Sequence, residues 1–177
     1  MIIWITGLSG AGKTTVSQII MRTLKPVMPE LGLVDGDVVR DVFANDLDYS
    51  EPSRVAQIKR IQSLAKVMDS QDFVVIVAAL YSHPDLLAWN RANYSDYFEV
   101  YLDASLDLVR SRDPKGLYAK ADAGQMKHVV GVDIPWHRPT SSDLTIVASN
   151  GESPEAVASK VIADVPRLAL AKSLLDS

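Results

Sequence analysis

Residues 7–14 read Gly7-Leu8-Ser9-Gly10-Ala11-Gly12-Lys13-Thr14 and follow directly on the apolar run Ile2-Ile3-Trp4-Ile5. The spacing G-x-x-x-x-G-K-[ST] after a short buried run is the strand, Gly-rich loop and helix order of a phosphate-binding loop. This feature restricts the fold severely, because the loop works only where a strand end and a helix start converge. Gly7, Gly10 and Gly12 let the backbone wrap closely, so that N–H groups from Ser9 to Thr15 face phosphate oxygens. The helix beginning near Lys13 aims its positive end at the same point. Lys13 would reach the β- and γ-phosphates as a point charge, Thr14 would place its hydroxyl on Mg²⁺, and Thr15 would start the helix proper.

Downstream, strand-like and helix-like segments alternate without an internal repeat, which predicts an α/β fold: a five-stranded parallel sheet with helices on both faces. A helix over about 13–24 ends before Pro26 and Pro29. Leu31 to Val34 is a second strand that delivers Asp35 and Asp37 at its carboxyl edge, where open α/β sheets bind ligands. Helices follow over about 38–45 and 50–69, the latter with Ser50 as N-cap. The apolar run 73–80 is a strand buried on both sides, ending at Tyr81-Ser82-His83. Helix 84–91, strand 97–102, helix 105–112, strand 144–148 and one closing helix over 154–175 complete the chain. Residues 113–139, rich in Lys, Gly and Pro, are long for a connection and read as a mobile lid.

A chain of 177 residues, 47% hydrophobic and 23% charged, can bury a full core as one domain spanning 1–177. Its net charge of −4 argues against nucleic-acid or membrane-surface binding and for a small-molecule partner. With no cysteine there is no disulfide or thiolate metal site, which fits a cytoplasmic protein. The opening apolar run is too short for a secretory leader or a membrane span. His83, His128 and His137 are too scattered for a metal set. Trp4 reads as core.

Phosphoryl transfer needs a phosphate cradle, Mg²⁺, a base for the acceptor hydroxyl and a cationic clamp. Asp35 and Asp37, two residues apart at a strand end, can divide the metal and base roles. Lys115 and Lys120 in the lid, with Arg112 at its hinge, supply the clamp.

Five segments together resemble adenylylsulfate (APS) kinases, in register over about residues 1 to 147: the Gly-Leu-Ser-Gly-Ala-Gly-Lys-Thr-Thr loop, Asp35-Gly36-Asp37 with Arg40, Asp46-Leu47 before Tyr49 and Ser50, Arg112-Asp113-Pro114-Lys115-Gly116-Leu117-Tyr118, and Gly131-Val132-Asp133 with Pro135. The resemblance implies transfer of the ATP γ-phosphoryl group to the 3′-hydroxyl of adenosine 5′-phosphosulfate, giving PAPS, in a cytoplasmic homodimer. It assigns the acceptor hydroxyl to Asp37 and the phosphosulfate to Arg40 and Arg54. It also implies acceptor contacts from Tyr49, Gln57, Tyr81, Ser82, Lys115, Gly116, Leu117, Lys120 and Val129.

The acceptor side departs from the family. Two phenylalanines would stack on the adenine; Tyr49 stands at the first position and Val129 at the second. Ser82-His83-Pro84-Asp85 replaces Ser-Pro-Tyr-Arg, and Gln57 stands for an asparagine. An alternative acceptor is therefore another nucleotide, for example cytidine diphosphoramidate in surface-polysaccharide modification. A non-catalytic nucleotide-binding protein is the reading from a different class.

Overall fold

The computed structural model describes residues 1–149 and 151–175. Five strands, β1 (Ile2–Thr6), β2 (Leu31–Asp35), β3 (Val74–Ala78), β4 (Tyr97–Asp103) and β5 (Leu144–Val147), form one all-parallel sheet in the order β2-β3-β1-β4-β5. Ile3 lies opposite Ile76 on one side and Phe98 on the other. Every residue of β1 and of β3 is buried, as a sheet covered on both faces requires. Each of Ile2, Ile3, Trp4 and Ile5 is fully buried, a contribution of about 1.5–3 kcal/mol per side chain.

The helices are α1 (Lys13–Leu24), α2 (Gly36–Val42), α3 (Glu51–Asp69), α4 (Pro84–Asn93), α5 (Leu106–Arg112), α6 (Leu117–Asp122), α7 (Pro154–Asp164) and α8 (Pro166–Ser173). One layer is built from α1, α7 and α8; α2, α3 and α4 pack together as another. The chain leaves β1 towards β2 and leaves β3 towards β4 on the other side. The direction of winding therefore reverses between the neighbours β1 and β3. That reversal opens a crevice at the carboxyl edge, directly at the phosphate-loop sequence.

Three expectations change. The single closing helix is two, because Pro166 cannot continue the α7 ladder and Val165 before it is extended at φ −85°, ψ 112°. The helix expected over 38–45 begins at Gly36, capped by the Asp35 side chain, and ends at Val42; Ala44 and Asn45 have positive φ. The stretch 113–139 is not wholly irregular, since α6 lies inside it.

Candidate active site

A cleft of about 560 Å³ lies at the carboxyl edge of the sheet. The loop after β1 forms its floor. Gly7 has φ 155°, and a Cβ there would stand 2.6 Å from the Leu102 carbonyl oxygen, so no other residue fits this crossing of β4. Gly12, at φ 100°, turns the chain into α1. Lys13 Nζ donates to the carbonyls of Gly7 and Leu8 at 2.7 and 2.9 Å, which holds its ammonium over the loop. Burial brings the Lys13 pKa down to about 8, against the opposing pull of Asp37 and Asp35.

β2 delivers the two carboxylates to different surroundings. Asp35 is buried; its Oδ2 accepts from Thr14 Oγ1 at 2.6 Å and its Oδ1 from the Asp37 N–H at 2.9 Å. Thr14 and Asp35 thus join two hard oxygen donors beside the phosphate loop, a set that suits a cation keeping most of its waters. Asp37 projects into the cleft, where Oδ2 accepts from Lys115 Nζ at 2.5 Å. This contact draws the Lys115 ammonium pKa above its ordinary value.

The root of the 113–139 stretch is built around Asp113. Its carboxylate accepts from the N–H groups of Leu117, Tyr118 and Ala119, capping α6. The same turn of helix buries Tyr118, whose hydroxyl donates to the Ser9 carbonyl in the phosphate loop at 3.1 Å. Arg112, at the end of α5, lines the cleft and donates to the Ser149 carbonyl at 3.2 Å, reaching the segment after β5.

Beyond Asp37 lies a second constellation. Arg40 is buried on α2, donates to the carbonyls of Leu47 and Asp48, and sits 4.5 Å over the Tyr49 ring. Arg54 on α3 stands 5.6 Å from the same ring and donates to the carbonyls of Tyr49 and His128. Among the described residues neither guanidinium forms an ion pair. Burial, and then Arg40, pull the Arg54 pKa below its ordinary value. Two neighbouring guanidiniums whose hydrogen bonds go to carbonyls could hold an anion between them.

The other expected acceptor residues divide. Gln57 is buried and donates to the Gly36 carbonyl at 3.1 Å, bracing the turn that carries Asp37. Tyr81 donates to Glu51 at 2.8 Å, and Ser82 donates to the His137 carbonyl at 2.6 Å, so both serve packing here. Gly116 begins α6 at φ 62°, and Leu117 packs against the core. Lys120 is exposed and lies outside the residues that line the cleft. Val129 is buried. Its side chain is 1% exposed within the core, while its N–H and carbonyl are spent on the turn to Asp133 and Ile134. It offers no face to a base.

His83 and His137, far apart in sequence, meet with ring centroids 4.8 Å apart, although no group of three or more metal-ligating side chains forms among the described residues. The sequence reading passed over the wall opposite Arg112, built from Ala148, Ser149, Glu152, Pro154 and Val157. Those residues carry no motif. The break at Pro154 after a short strand was the only available signal. No described helix is long and apolar enough to cross a membrane.

Three comparisons bear on this geometry. The sequence profile of the family described as adenylylsulphate kinase matches residues 1–147. The adenylyl-sulfate kinase of Vibrio cholerae is 37% identical over 164 residues, covering 89% of this chain and 74% of that protein. The enzyme of the same name from Halothermothrix orenii is 36% identical, covering 90% and 86%. Among solved structures, the APS kinase of Mycobacterium tuberculosis in complex with AMPPNP and APS superposes with a TM-score of 0.84 at 34% identity, covering 93% of this chain and 96% of that one.

Proposed function

Because the chain belongs to the adenylylsulphate kinase family, we propose that it transfers the γ-phosphoryl group of ATP to the 3′-hydroxyl of adenosine 5′-phosphosulfate (APS), giving PAPS and ADP. The observation that carries this reading is the alignment of three stations along one edge. These are the phosphate loop, the Asp37–Lys115 contact at its mouth, and the Arg40–Arg54 pair, which lacks an anion of its own.

ATP would lie with its phosphates on the N–H groups of residues 9–15 and its γ-phosphoryl group near Lys13. Thr14 and Asp35 would hold Mg²⁺, whose charge offsets that of the β- and γ-phosphates when it is bound. Arg40 and Arg54 would take the 5′-phosphosulfate and Tyr49 one face of the base, which brings the 3′-hydroxyl to Asp37. Asp37 accepts the hydroxyl proton as the oxygen forms its bond to the γ-phosphorus; the bond from that phosphorus to the bridging oxygen breaks and ADP leaves. Lys115, released from Asp37, follows the charge onto the transferred phosphoryl group. A lid over 113–139 would exclude the water that otherwise hydrolyses ATP. We place this reaction in a cytoplasmic homodimer, a state that sedimentation of the purified chain tests.

Val129 is buried, so Tyr49 is the aromatic ring left beside Arg40 and Arg54 to meet the base. The test is an acceptor panel of APS, AMP, and CDP- and UDP-linked nucleotides with γ-labelled ATP. We expect label on the 3′-oxygen of APS. Label released only as inorganic phosphate, or a better substrate among the pyrimidine nucleotides, would overturn the assignment.

A further inference from the structure

Apart from the phosphate loop and the residues around Asp37, the cleft is lined by Arg112, which reaches the Ser149 carbonyl, and by Ala148, Glu152, Pro154 and Val157. A nucleoside triphosphate anchored by its phosphates at Lys13 must place its base there. Of the described residues there, Pro154 and Val157 bring apolar side chains and the Ser149 carbonyl is engaged by Arg112. The exception is Glu152, whose side chain is 16% exposed and lines the cleft. The other carboxylates lining it, Asp35 and Asp37, belong to the phosphate end.

Glu152 is held in place from behind. Lys160, two turns along α7, donates to its Oε1. A carboxylate has about four acceptor positions, so one ammonium fixes its orientation and leaves the others for a ligand. We propose that Glu152 selects the donor base: its carboxylate accepts a hydrogen bond from the exocyclic 6-amine of adenine and repels purines that carry a carbonyl oxygen there. The inference rests on the reading that this cleft binds ATP and adds the residue that discriminates among donors. An acceptor-only group facing an amine gains a charge-assisted bond, and facing a carbonyl it gains nothing and opposes lone pair to lone pair.

The experiment is competition for the cleft. A fluorescent ATP analogue is displaced from the full chain by ATP or by ITP, which carries a carbonyl in place of the 6-amine and a hydrogen on N1, and by the triphosphate of unsubstituted purine riboside, which lacks the amine and keeps N1 bare. The wild type should bind ATP about ten- to a hundredfold more tightly than ITP. Glu152→Ala should bring the two to within about threefold of one another. Glu152→Gln, whose amide can turn its N–H towards a carbonyl, should also collapse the ratio while ITP gains. If Glu152 merely braces the loop through Lys160, both nucleotides weaken together and the ratio stays, which overturns the proposal. Equal binding of ATP and ITP by the wild type overturns it too. Because the readout is binding, a failure of phosphoryl transfer to APS would sink the kinase reading and still leave the ratio legible.

Discussion

Lys13 shows how one side chain turns its position into a pH limit. Burial depresses its pKa to about 8, so the ammonium is charged below that value and neutral above it. Asp35, Asp37 and Lys115 are the charges that face it, and the two carboxylates already oppose the depression. Only the charged form serves a phosphate. ATP affinity should therefore fall as pH rises through about 8, and near pH 9 ATP binding should take up about one proton, seen as a dependence of the calorimetric enthalpy on the buffer. A flat affinity between pH 7 and 10 would remove Lys13 from the phosphates. Asp37 gives a different signature because its proposed work is done as the hydroxyl loses its proton. Asp37→Asn should lower kcat by about a hundredfold or more with a much smaller change in the KM for ATP, measured by steady-state kinetics. A normal kcat with a raised KM would make Asp37 a binding residue alone.

Among the elements, α6 matters more than its six residues suggest. Asp113 caps it and Tyr118 ties it to the phosphate loop, so the start of the 113–139 stretch and the Ser9 carbonyl share a support. Tyr118→Phe keeps the ring in the core and removes only that hydrogen bond. It should raise the KM for ATP and quicken amide exchange in residues 9–13 and 117–122 together. Exchange that quickens in one segment alone would show the two to be independent. The sequence reading saw Asp113 to Tyr118 as a motif but not α6, because the helix depends on a cap five residues upstream and on a contact 109 residues away. The phosphate loop and the strands were legible because their signals are local: glycines at fixed spacing and unbroken apolar runs. Val129 misled for the converse reason. A valine between a histidine and another valine gives no sign of which way it points, and here the Asp133 carboxylate accepts from its N–H while the side chain enters the core.

At the scale of the whole molecule, the sheet divides its polar chemistry between two ends. The cleft takes the carboxyl edge. Towards the opposite end lies a buried chain of hydrogen bonds in which Gln62 donates to Asn90, Asn90 to Tyr97, and Tyr97 to Glu99 at 2.8 Å, with Arg91 3.9 Å from the same carboxylate. It links α3, α4 and β4 far from the substrates. Burial raises the Glu99 pKa, only partly offset by Tyr97 and Arg91. The folded protein therefore holds this proton more tightly than the unfolded chain. Its contribution to stability is complete below the ordinary glutamate value and is lost as pH rises through the raised one. The Tm of Glu99→Gln relative to wild type should climb as pH rises from the ordinary glutamate value through the raised one and then level off. A constant difference across that range would mean that Glu99 is charged throughout.

Arg40 and Arg54 remain the exception to this order, two cations that the fold brings together around Tyr49 and that form no ion pair among the described residues. Whatever dianion settles between them strengthens the folded state as well as starting a reaction, because it binds the folded chain and not the unfolded one. The protein is thus hardest to unfold while it is occupied and easiest when its acceptor is scarce. In a cell that degrades whatever opens, such a chain would last as long as its substrate is supplied, so its abundance would follow that supply without any separate regulator.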